Sequence, residues 1–358
     1  MSSSGLTYTP PPERLRSQLA AIAATFDQFP EVLPRLLADP ARHRHDPAPF
    51  GPIAARLADL PEAAVPRANS DGESESLGPI TATHRFVDAP GDSELVRWHL
   101  VECGPQDAEV LVLLHGVPDS WWQWHHVMEA LGSTYRCVAI DLKGYGQSDK
   151  RTGDYRQEGV ARQLLALVDQ IGIGQFSIVA HDRGTPPADH LVALARARVR
   201  RYGRGEQHLW HFHPSLAPQE KTFTSALAPI ALSDARTFVL VAYTTLASLP
   251  VADADLARTI AEFSHDGIAL GVPRYFNSSS FRQEWIDRRT RLIGAWRCPV
   301  LLLQARADPF QPHEFYSDPE VLARLPGGSE VHLFECGHFW PFEAPAATAG
   351  VLAEFMAR

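Results

Sequence analysis

From about residue 80 onwards, short apolar runs alternate along the chain with segments in which apolar residues recur at helical spacing. The predicted strands are residues 81–87, 95–102, 110–114, 136–140, 175–180, 300–304 and 330–334. The most regular predicted helices between them are 155–171 and 344–356. Continuous apolar runs are typical of central parallel strands that are covered on both faces. The alternation therefore predicts an α/β fold with a mostly parallel, doubly wound sheet, whose functional residues follow the carboxyl ends of the strands.

Two regions depart from this alternation. Residues 1–78 are predicted to be a helical N-terminal extension and linker, with helices at 13–26, 30–37 and 52–60 and a polar, turn-rich stretch near its end. Residues 202–292 are rich in Pro, His and aromatic residues, which indicates a helical lid inserted between two strands. The α/β core is then divided into residues 79–201 and 293–358. The extension is interpreted as a cap on the main domain, with an interaction arm as the alternative.

Composition narrows the class of protein. The chain of 358 residues has a net charge of −9, which favours a soluble protein and argues against nucleic acid as a partner. Its four cysteines are widely spaced and predict neither a disulfide framework nor a zinc cluster, and no apolar run approaches the roughly 18 residues that span a bilayer. We therefore expect a cytoplasmic protein without cofactor, metal or membrane partner. We expect a small-molecule substrate, and a homodimer is left open.

The most informative motif is Ala-His-Asp-Arg-Gly at residues 180–184, directly after a predicted strand. Small residues two positions before and after a polar residue are typical of a nucleophile elbow, in which the central side chain is pushed into the site. The central residue is Asp182. A carboxylate attacks sp3 carbon to give an ester that water can cleave, whereas attack on an ester carbonyl gives an anhydride. The motif therefore favours opening of an epoxide or displacement of a halide.

Further polar residues follow other predicted strands in the order of a hydrolase triad. Asp308 and His338 come late in the chain, and the elbow precedes both. We predict that Asp182 attacks carbon, that His338 activates water, and that Asp308 orients the imidazole. The backbone N–H groups of Val117 and Arg183 are predicted to form the oxyanion hole. Taken alone, Asp182 is also a favoured helix N-cap, and Asp308 before a proline is also consistent with a simple turn.

These motifs resemble the epoxide hydrolase and dehalogenase branch of the α/β-hydrolase fold family. The matching stretches are His-Gly-Val-Pro at 115–118, Gly-Tyr-Gly-Gln-Ser at 144–148, the elbow at 180–184, and Cys-Gly-His-Phe-Trp-Pro around His338. The resemblance spans about residues 85–358, weakens between 185 and 295, and does not reach the N-terminal extension. It implies the α/β-hydrolase fold and an aspartate nucleophile.

The resemblance also implies donors on the lid that assist ring opening, usually a pair of tyrosines. Tyr275 is the best-placed candidate, with Tyr202 or Tyr243 as its weaker partner. The residues predicted to contact substrate are Arg183, Trp122, His208, Trp210, Tyr243 and Phe339. His211 and His213 lack partner ligands at a useful spacing, so no metal is predicted there. An apolar epoxide is the first choice of substrate.

Two other functions stay open. Dehalogenation of a haloacid or haloalkane is the first, because Asp-Arg-Gly resembles fluoroacetate dehalogenases, in which the arginine holds the substrate carboxylate. Those enzymes carry a second arginine three positions later, where this chain has Pro186. The second is a non-hydrolytic protein that binds a ligand or partner on the same fold. The complete triad is an argument against that alternative.

Overall fold

The computed structural model describes residues 6–46, 49–60 and 67–358. In these residues one sheet contains nine strands in the order β1-β2-β3-β5-β4-β6-β7-β8-β9. The strands are β1 (Ser74–Leu77), β2 (Ile80–Pro90), β3 (Leu95–Cys103), β4 (Val110–Leu114), β5 (Arg136–Ile140), β6 (Phe176–His181), β7 (Val199–Gly205), β8 (Val300–Ala305) and β9 (Glu330–Phe334). Strands β1, β2, β3 and β5 pair antiparallel, and every later pairing is parallel. The predicted mostly parallel sheet is confirmed.

The helices fall into four groups along the chain. The extension contains α1 (Arg16–Ala38), α2 (Pro40–His43) and α3 (Phe50–Asp59). The first part of the core contains α4 (His125–Leu131), α5 (Gln157–Gln170) and α6 (Thr185–Leu194). The lid contains α7 (Gln219–Thr224), α8 (Ala228–Ser233), α9 (Ala235–Leu246), α10 (Asp253–Glu262), α11 (Ile268–Ser278) and α12 (Phe281–Asp287). The second part of the core contains α13 (His313–Tyr316), α14 (Pro319–Leu322), α15 (Trp340–Glu343) and α16 (Pro345–Met356).

The packing on both faces of β4 explains why its apolar run is continuous. Val112 and Leu114 belong to the hydrophobic core that contains α5, α6 and the lid. Leu111 and Leu113 belong to the separate core that contains α4 and α16. Successive side chains of a strand point to opposite faces, so both faces of this strand are buried. The sheet is therefore covered on both sides, as a doubly wound fold requires.

The N-terminal extension packs on the lid. Helix α1 runs unbroken through Pro30 and Pro34, where the sequence predicts two separate helices. Each proline removes a helical hydrogen bond, and burial of Phe29 and its apolar neighbours on the same face offsets that loss. The Phe29 ring lies 6.1 Å from that of Phe238 in the lid. The Thr222 hydroxyl of α7 donates to the Phe26 carbonyl at 3.3 Å.

Two strands are absent from the sequence prediction. Strand β1 lies in the stretch predicted as linker and pairs with β2, and strand β7 corrects the predicted start of the lid at residue 202. Its sequence, Val-Arg-Arg-Tyr-Gly-Arg-Gly, lacks the apolar run expected of a central strand. Arg204 is nevertheless fully buried, because its guanidinium donates to Asp189 Oδ1 at 2.9 Å. The sheet thus continues to Gly205, and the lid begins after it. No helix of the described ranges is long and apolar enough to cross a bilayer.

Candidate active site

The nucleophile elbow is the sharp turn between β6 and α6. Asp182 follows the strand directly and has a left-handed backbone conformation, with φ of 42°. A Cβ atom at Gly184 would lie 2.6 Å from the His115 carbonyl oxygen, and one at Gly116 would lie 2.6 Å from the Asp182 Cβ. Only glycine fits at these two positions without a shift of the surrounding chain. The elbow predicted from the sequence is thus present, and α6 begins there despite Pro186 and its neighbour.

The Asp182 carboxylate is held by two donors. Its Oδ2 accepts a hydrogen bond from the Val117 backbone N–H at 3.0 Å, as expected of an oxyanion-hole donor. Its Oδ1 accepts from the Gln207 side-chain amide at 3.0 Å, a contact that the sequence did not indicate. The second predicted oxyanion donor, the Arg183 N–H, follows in the same turn and stays a prediction. The side chain of Asp182 is 10% exposed, so the carboxylate lies in a largely dry environment.

His338 and Asp308 meet as predicted. The His338 Nδ1 lies 2.7 Å from Asp308 Oδ2, and its Nε2 lies 4.0 Å from Asp182 Oδ1. Burial alone would lower the pKa of His338, but the adjacent Asp308 carboxylate outweighs it and raises the pKa to about 9. Asp308 also accepts from the Phe310 N–H at 2.7 Å. Burial would raise its pKa, whereas His338 and these hydrogen bonds hold it at about 2.

A fourth ionisable group, Glu206, adjoins this triad. It directly follows β7, is buried, and has a left-handed φ of 54°. Its carboxyl accepts from the Ala305 N–H at 2.8 Å and lies beside Asp308. Burial and the neighbouring Asp308 charge raise the pKa of Glu206 well above its usual range. Glu206 was not predicted as a site residue because β7 was not predicted as a strand. If β7 had been predicted, the position of Glu206 at its carboxyl end would have made this acid a candidate.

Buried polar groups hold the triad histidine in place. His181, the last residue of β6, donates from Nε2 to the His338 carbonyl at 2.9 Å. Its Nδ1 accepts from the Gln123 amide at 3.0 Å. Burial, followed by the charge of His338, lowers the pKa of His181 to about 3, so the ring is neutral at physiological pH. One tautomer of His181 thus satisfies both contacts and fixes the loop that carries His338.

The tyrosines near the site differ in whether their hydroxyls have a hydrogen-bond partner. The Tyr275 and Tyr145 hydroxyls are buried and have no hydrogen-bond partner within the described residues. Their rings lie 5.8 Å apart. Burial raises the pKa of Tyr145, and the neighbouring charges of Arg183 and Asp182 act on it in opposite directions. Tyr145 belongs to the Gly-Tyr-Gly-Gln-Ser motif and was not predicted as a donor.

The two tyrosines predicted as partners of Tyr275 already have acceptors. The Tyr202 hydroxyl donates to Asp189 at 2.8 Å, and the Tyr243 hydroxyl donates to Asp119 at 2.7 Å. The Tyr243 ring also stacks on Phe339 at 3.9 Å. Phe339 in turn lies 5.0 Å from the His338 ring, so this aromatic pair forms a wall beside the base.

Two nitrogens of the Arg183 guanidinium are already paired within the protein, whereas its Nε has no hydrogen-bond partner in the part of the chain that the structure describes. Its guanidinium donates two hydrogen bonds to Glu284 of lid helix α12, at 2.8 and 3.0 Å. Both side chains are at most 2% exposed. The rings of Phe276 and Phe281 lie 4.7 and 5.2 Å from the guanidinium carbon. The predicted substrate-binding role of the Arg183 side chain is therefore corrected to an ion pair between elbow and lid.

Three further residues predicted to contact substrate pack against neighbouring side chains, and their contact with substrate stays a prediction. Trp122 stacks on His125 at 3.7 Å, with Arg258 4.8 Å from its ring. The Trp210 ring lies 4.2 and 3.8 Å from the guanidinium carbons of Arg289 and Arg324, which assigns it to the lid surface. His208 is buried, with its ring 4.6 Å from that of Phe212 and its Nε2 3.3 Å from the Gln311 amide.

The chain is similar to known proteins over part of its length. A family model described as the alpha/beta hydrolase fold matches residues 109–203. Epoxide hydrolase B of Mycobacterium tuberculosis is 38% identical over 114 residues, 30% of this chain and 31% of that protein. Bifunctional epoxide hydrolase 2 of Rattus norvegicus is 25% identical over 332 residues, 78% of this chain and 56% of that protein. The chain thus spans less than a third of the first curated relatives that it matches.

Solved structures match over more of their length. Epoxide hydrolase VrEH1 from Vigna radiata superposes with a TM-score of 0.66 at 22% identity, covering 79% of this chain and 99% of that one. Cfl2 from Burkholderia cenocepacia gives a TM-score of 0.66 at 27% identity, covering 80% of this chain and 99% of that one. These matches confirm the α/β-hydrolase fold. Both leave about a fifth of the present chain unmatched.

The raised pKa of His338 predicts a pH dependence for any step in which this residue acts as a base. The base must be neutral, so the rate of that step rises as pH increases through the His338 pKa. Replacement of Asp308 by Asn removes the charge that raises this pKa, so the midpoint is expected about 1–3 pH units lower. The maximal rate is also expected to fall by about 1,000- to 10,000-fold, because the imidazole loses its orientation. Pre-steady-state rates between pH 5 and 10 test this, and an unchanged midpoint would contradict it.

Proposed function

We propose that this chain, which has the α/β-hydrolase fold and is similar in part of its sequence to epoxide hydrolases, converts an epoxide to a vicinal diol through an ester of Asp182. The observation that carries the proposal is the arrangement of Asp182. One of its carboxylate oxygens accepts from the Val117 N–H, and the other lies 4.0 Å from the Nε2 of His338. Oδ1 also accepts from the Gln207 amide, but it keeps a further lone pair for attack on carbon and has a base beside the ester that results.

In the first step, Asp182 Oδ1 attacks a ring carbon of the epoxide and the carbon–oxygen bond of the ring breaks. The oxygen that leaves becomes an alkoxide and needs a proton. The unpartnered hydroxyls of Tyr275 and Tyr145 support this assignment, because a buried O–H without an acceptor is free to donate to an incoming oxygen. The product of the step is an ester between Asp182 and the opened substrate.

In the second step, His338 Nε2 takes a proton from water and the hydroxide attacks the ester carbonyl carbon. The negative charge develops on the carbonyl oxygen, Oδ2, which the Val117 N–H already contacts. Collapse of this intermediate breaks the bond between the carbonyl carbon and Oδ1. The leaving alkoxide takes the proton that the attacking hydroxide carried, which releases the diol and restores the Asp182 carboxylate. The proton on His338 then returns to the tyrosine that donated in the first step, so the cycle adds one water overall.

The partners of Arg183 favour an uncharged substrate. A haloacid needs a cation for its carboxylate, but the Arg183 guanidinium is neutralised by Glu284 and surrounded by Phe276 and Phe281. Halide displacement from an apolar haloalkane is the second candidate, because attack by Asp182 on carbon and a base 4.0 Å from its Oδ1 serve that reaction equally well.

Replacement of Tyr275 or Tyr145 by Phe is expected to lower the rate of ester formation by about 100-fold, because the leaving oxygen loses a proton donor. Hydrolysis of the ester should stay within a factor of two of the unmodified rate, on the order of experimental scatter. Tyr155→Phe is the matched control, since the Tyr155 hydroxyl already donates to the Arg151 carbonyl at 2.9 Å. Rapid-quench kinetics separate the two steps. An equal loss in the control would contradict the roles of Tyr275 and Tyr145.

The activity is tested by incubating the purified chain separately with apolar epoxides, haloalkanes and haloacids. The proposal predicts diol from the epoxides and no halide from the halogenated compounds. Halide release without diol formation would replace it with dehalogenation. No product from any of the three classes, with the protein folded by circular dichroism, would favour a non-hydrolytic binding protein.

A further inference from the structure

Two adjacent histidines of the core face one aspartate of the lid, away from the triad. His125 Nε2 lies 3.1 Å from Asp255 Oδ1, and His126 Nε2 lies 3.1 Å from Asp255 Oδ2. The histidines begin α4, and the aspartate lies in the first turn of α10. The side chains of His125 and Asp255 are 8% and 10% exposed, whereas that of His126 is 30% exposed. The cluster is therefore largely buried and open to solvent on one side.

The hydrogen bond at His125 Nδ1 determines which of the two ring nitrogens carries the proton in a neutral ring. Its Nδ1 lies 2.8 Å from the Trp122 carbonyl oxygen, which only accepts, so Nδ1 carries a proton. In a neutral ring, Nε2 then has a lone pair directed at the Asp255 carboxylate. Two acceptors 3.1 Å apart need a positive group between them, which is either a proton on Nε2 or a metal ion. A carbonyl that accepts from the far nitrogen is also the arrangement that orients a metal-binding histidine.

We propose that His125, His126 and Asp255 bind a divalent transition-metal ion of the zinc class. One ligand atom from each residue lies within 4.8 Å of the other two. Each imidazole nitrogen lies 3.1 Å from a different oxygen of the Asp255 carboxylate, Oδ1 for His125 and Oδ2 for His126. Each distance is close to the edge of about 3.3 Å in a tetrahedral site with bonds of about 2.0 Å, and both carboxylate oxygens face the proposed ion. Imidazole ligands favour Zn²⁺, Ni²⁺ or Cu²⁺ over Mg²⁺ and Ca²⁺. The exposed side at His126 leaves room for water as the fourth ligand.

The surroundings of the cluster support a rigid ligand set. The His125 ring stacks on Trp122, at 3.7 Å and 5° between planes. The nearby cation Arg258 is neutralised by Glu75 and Glu262, at 2.8 and 2.7 Å. A metal bound here joins lid helix α10 to core helix α4. The proposed site thus links the lid to the core, and neither step of the proposed reaction at Asp182 uses the metal.

The test is titration of the chelator-treated, full-length chain with Zn²⁺ by isothermal calorimetry at pH 7.5. The expected result is one Zn²⁺ per chain, with dissociation in the micromolar range or tighter. His126→Ala should weaken binding by more than about 10-fold, the loss that even an outer-shell partner often causes. Asp255→Asn should do the same. His45→Ala, at an exposed histidine of the extension, is the matched control and should bind as the unmodified chain does.

A second measurement distinguishes a metal that links the lid to the core from a metal bound only at the surface. Zn²⁺ is expected to slow hydrogen exchange of the backbone amides in α10 and α4, and to have no such effect in His126→Ala. His126 is partly exposed, so this variant should fold, which circular dichroism checks. Absence of Zn²⁺ binding would overturn the proposal and leave a protonated His125. Binding that His126→Ala retains at full affinity would also overturn it, since the ion would then lie elsewhere.

Discussion

Replacement of Asp182 by Asn is expected to lower epoxide turnover by about 10,000-fold or more, because the variant lacks the attacking carboxylate. The amide oxygen of Asn can still accept from the Val117 N–H, which contacts Asp182 Oδ2 at 3.0 Å, so the elbow should keep its conformation. Turnover of an apolar epoxide by chromatographic detection of the diol measures the loss. Thermal unfolding shows whether the fold is retained.

Asp119→Asn is the matched control for this variant. Asp119 is a second buried carboxyl near the nucleophile, and burial raises its pKa to about 7, so Asn resembles the protonated form that it already populates. It accepts from the Tyr243 hydroxyl and from the Gln123 amide. This variant should still form and hydrolyse the ester. Residual activity of Asp182→Asn above about a hundredth of the unmodified rate would identify another attacking group.

Replacement of Glu284 by Ala is expected to lower the free energy of unfolding by about 3–5 kcal/mol, because it leaves the buried Arg183 guanidinium without a counter-charge. The pair is at most 2% exposed on either side, so water cannot take the place of the carboxylate. Glu284 also accepts from the Gln157 amide at 3.0 Å. Chemical denaturation followed by circular dichroism measures the change.

Glu158→Ala provides the comparison. Glu158 pairs with Arg162 on the surface of α5, with 48% and 43% of the side chains exposed. Exposed pairs of this kind contribute about 0–1 kcal/mol, so the change should be several times smaller than for Glu284. Similar losses in the two variants would mean that the buried pair gives no particular stability to the lid. A loss confined to Glu284→Ala supports its role in fixing the lid on the elbow.

The sequence was sufficient for most of the sheet because most strands carry their own signal. Strand β4 is apolar throughout, since both of its faces are buried. Strand β7 carries no such signal, because burial of Arg204 depends on its contacts with Asp189 and with the Gln207 and His208 carbonyls, and these contacts are a property of the fold. Helix α1 was divided in the prediction because Pro30 and Pro34 are helix breakers in isolation.

In the active site, too, the residues that could be predicted are those that follow a strand with a clear sequence signal. Asp182, Asp308 and His338 each follow a strand that was predicted, and the structure brings them together as expected. Glu206 and Gln207 follow the strand that was missed. The partner of Arg183 could not be inferred either, since Glu284 lies 101 positions further along the chain. The roles of residues that depend on a contact with the lid could therefore be recognised only in the structure.

The central claim is the covalent ester at Asp182, and the mass of a trapped intermediate tests it most directly. His338→Gln lacks the base for the second step, so ester formation should proceed and hydrolysis should stop. After incubation with an apolar epoxide, intact mass spectrometry should show an increase equal to the whole epoxide, on the peptide that contains Asp182. A folded variant that remains unmodified, or that carries the adduct on another peptide, would contradict the account.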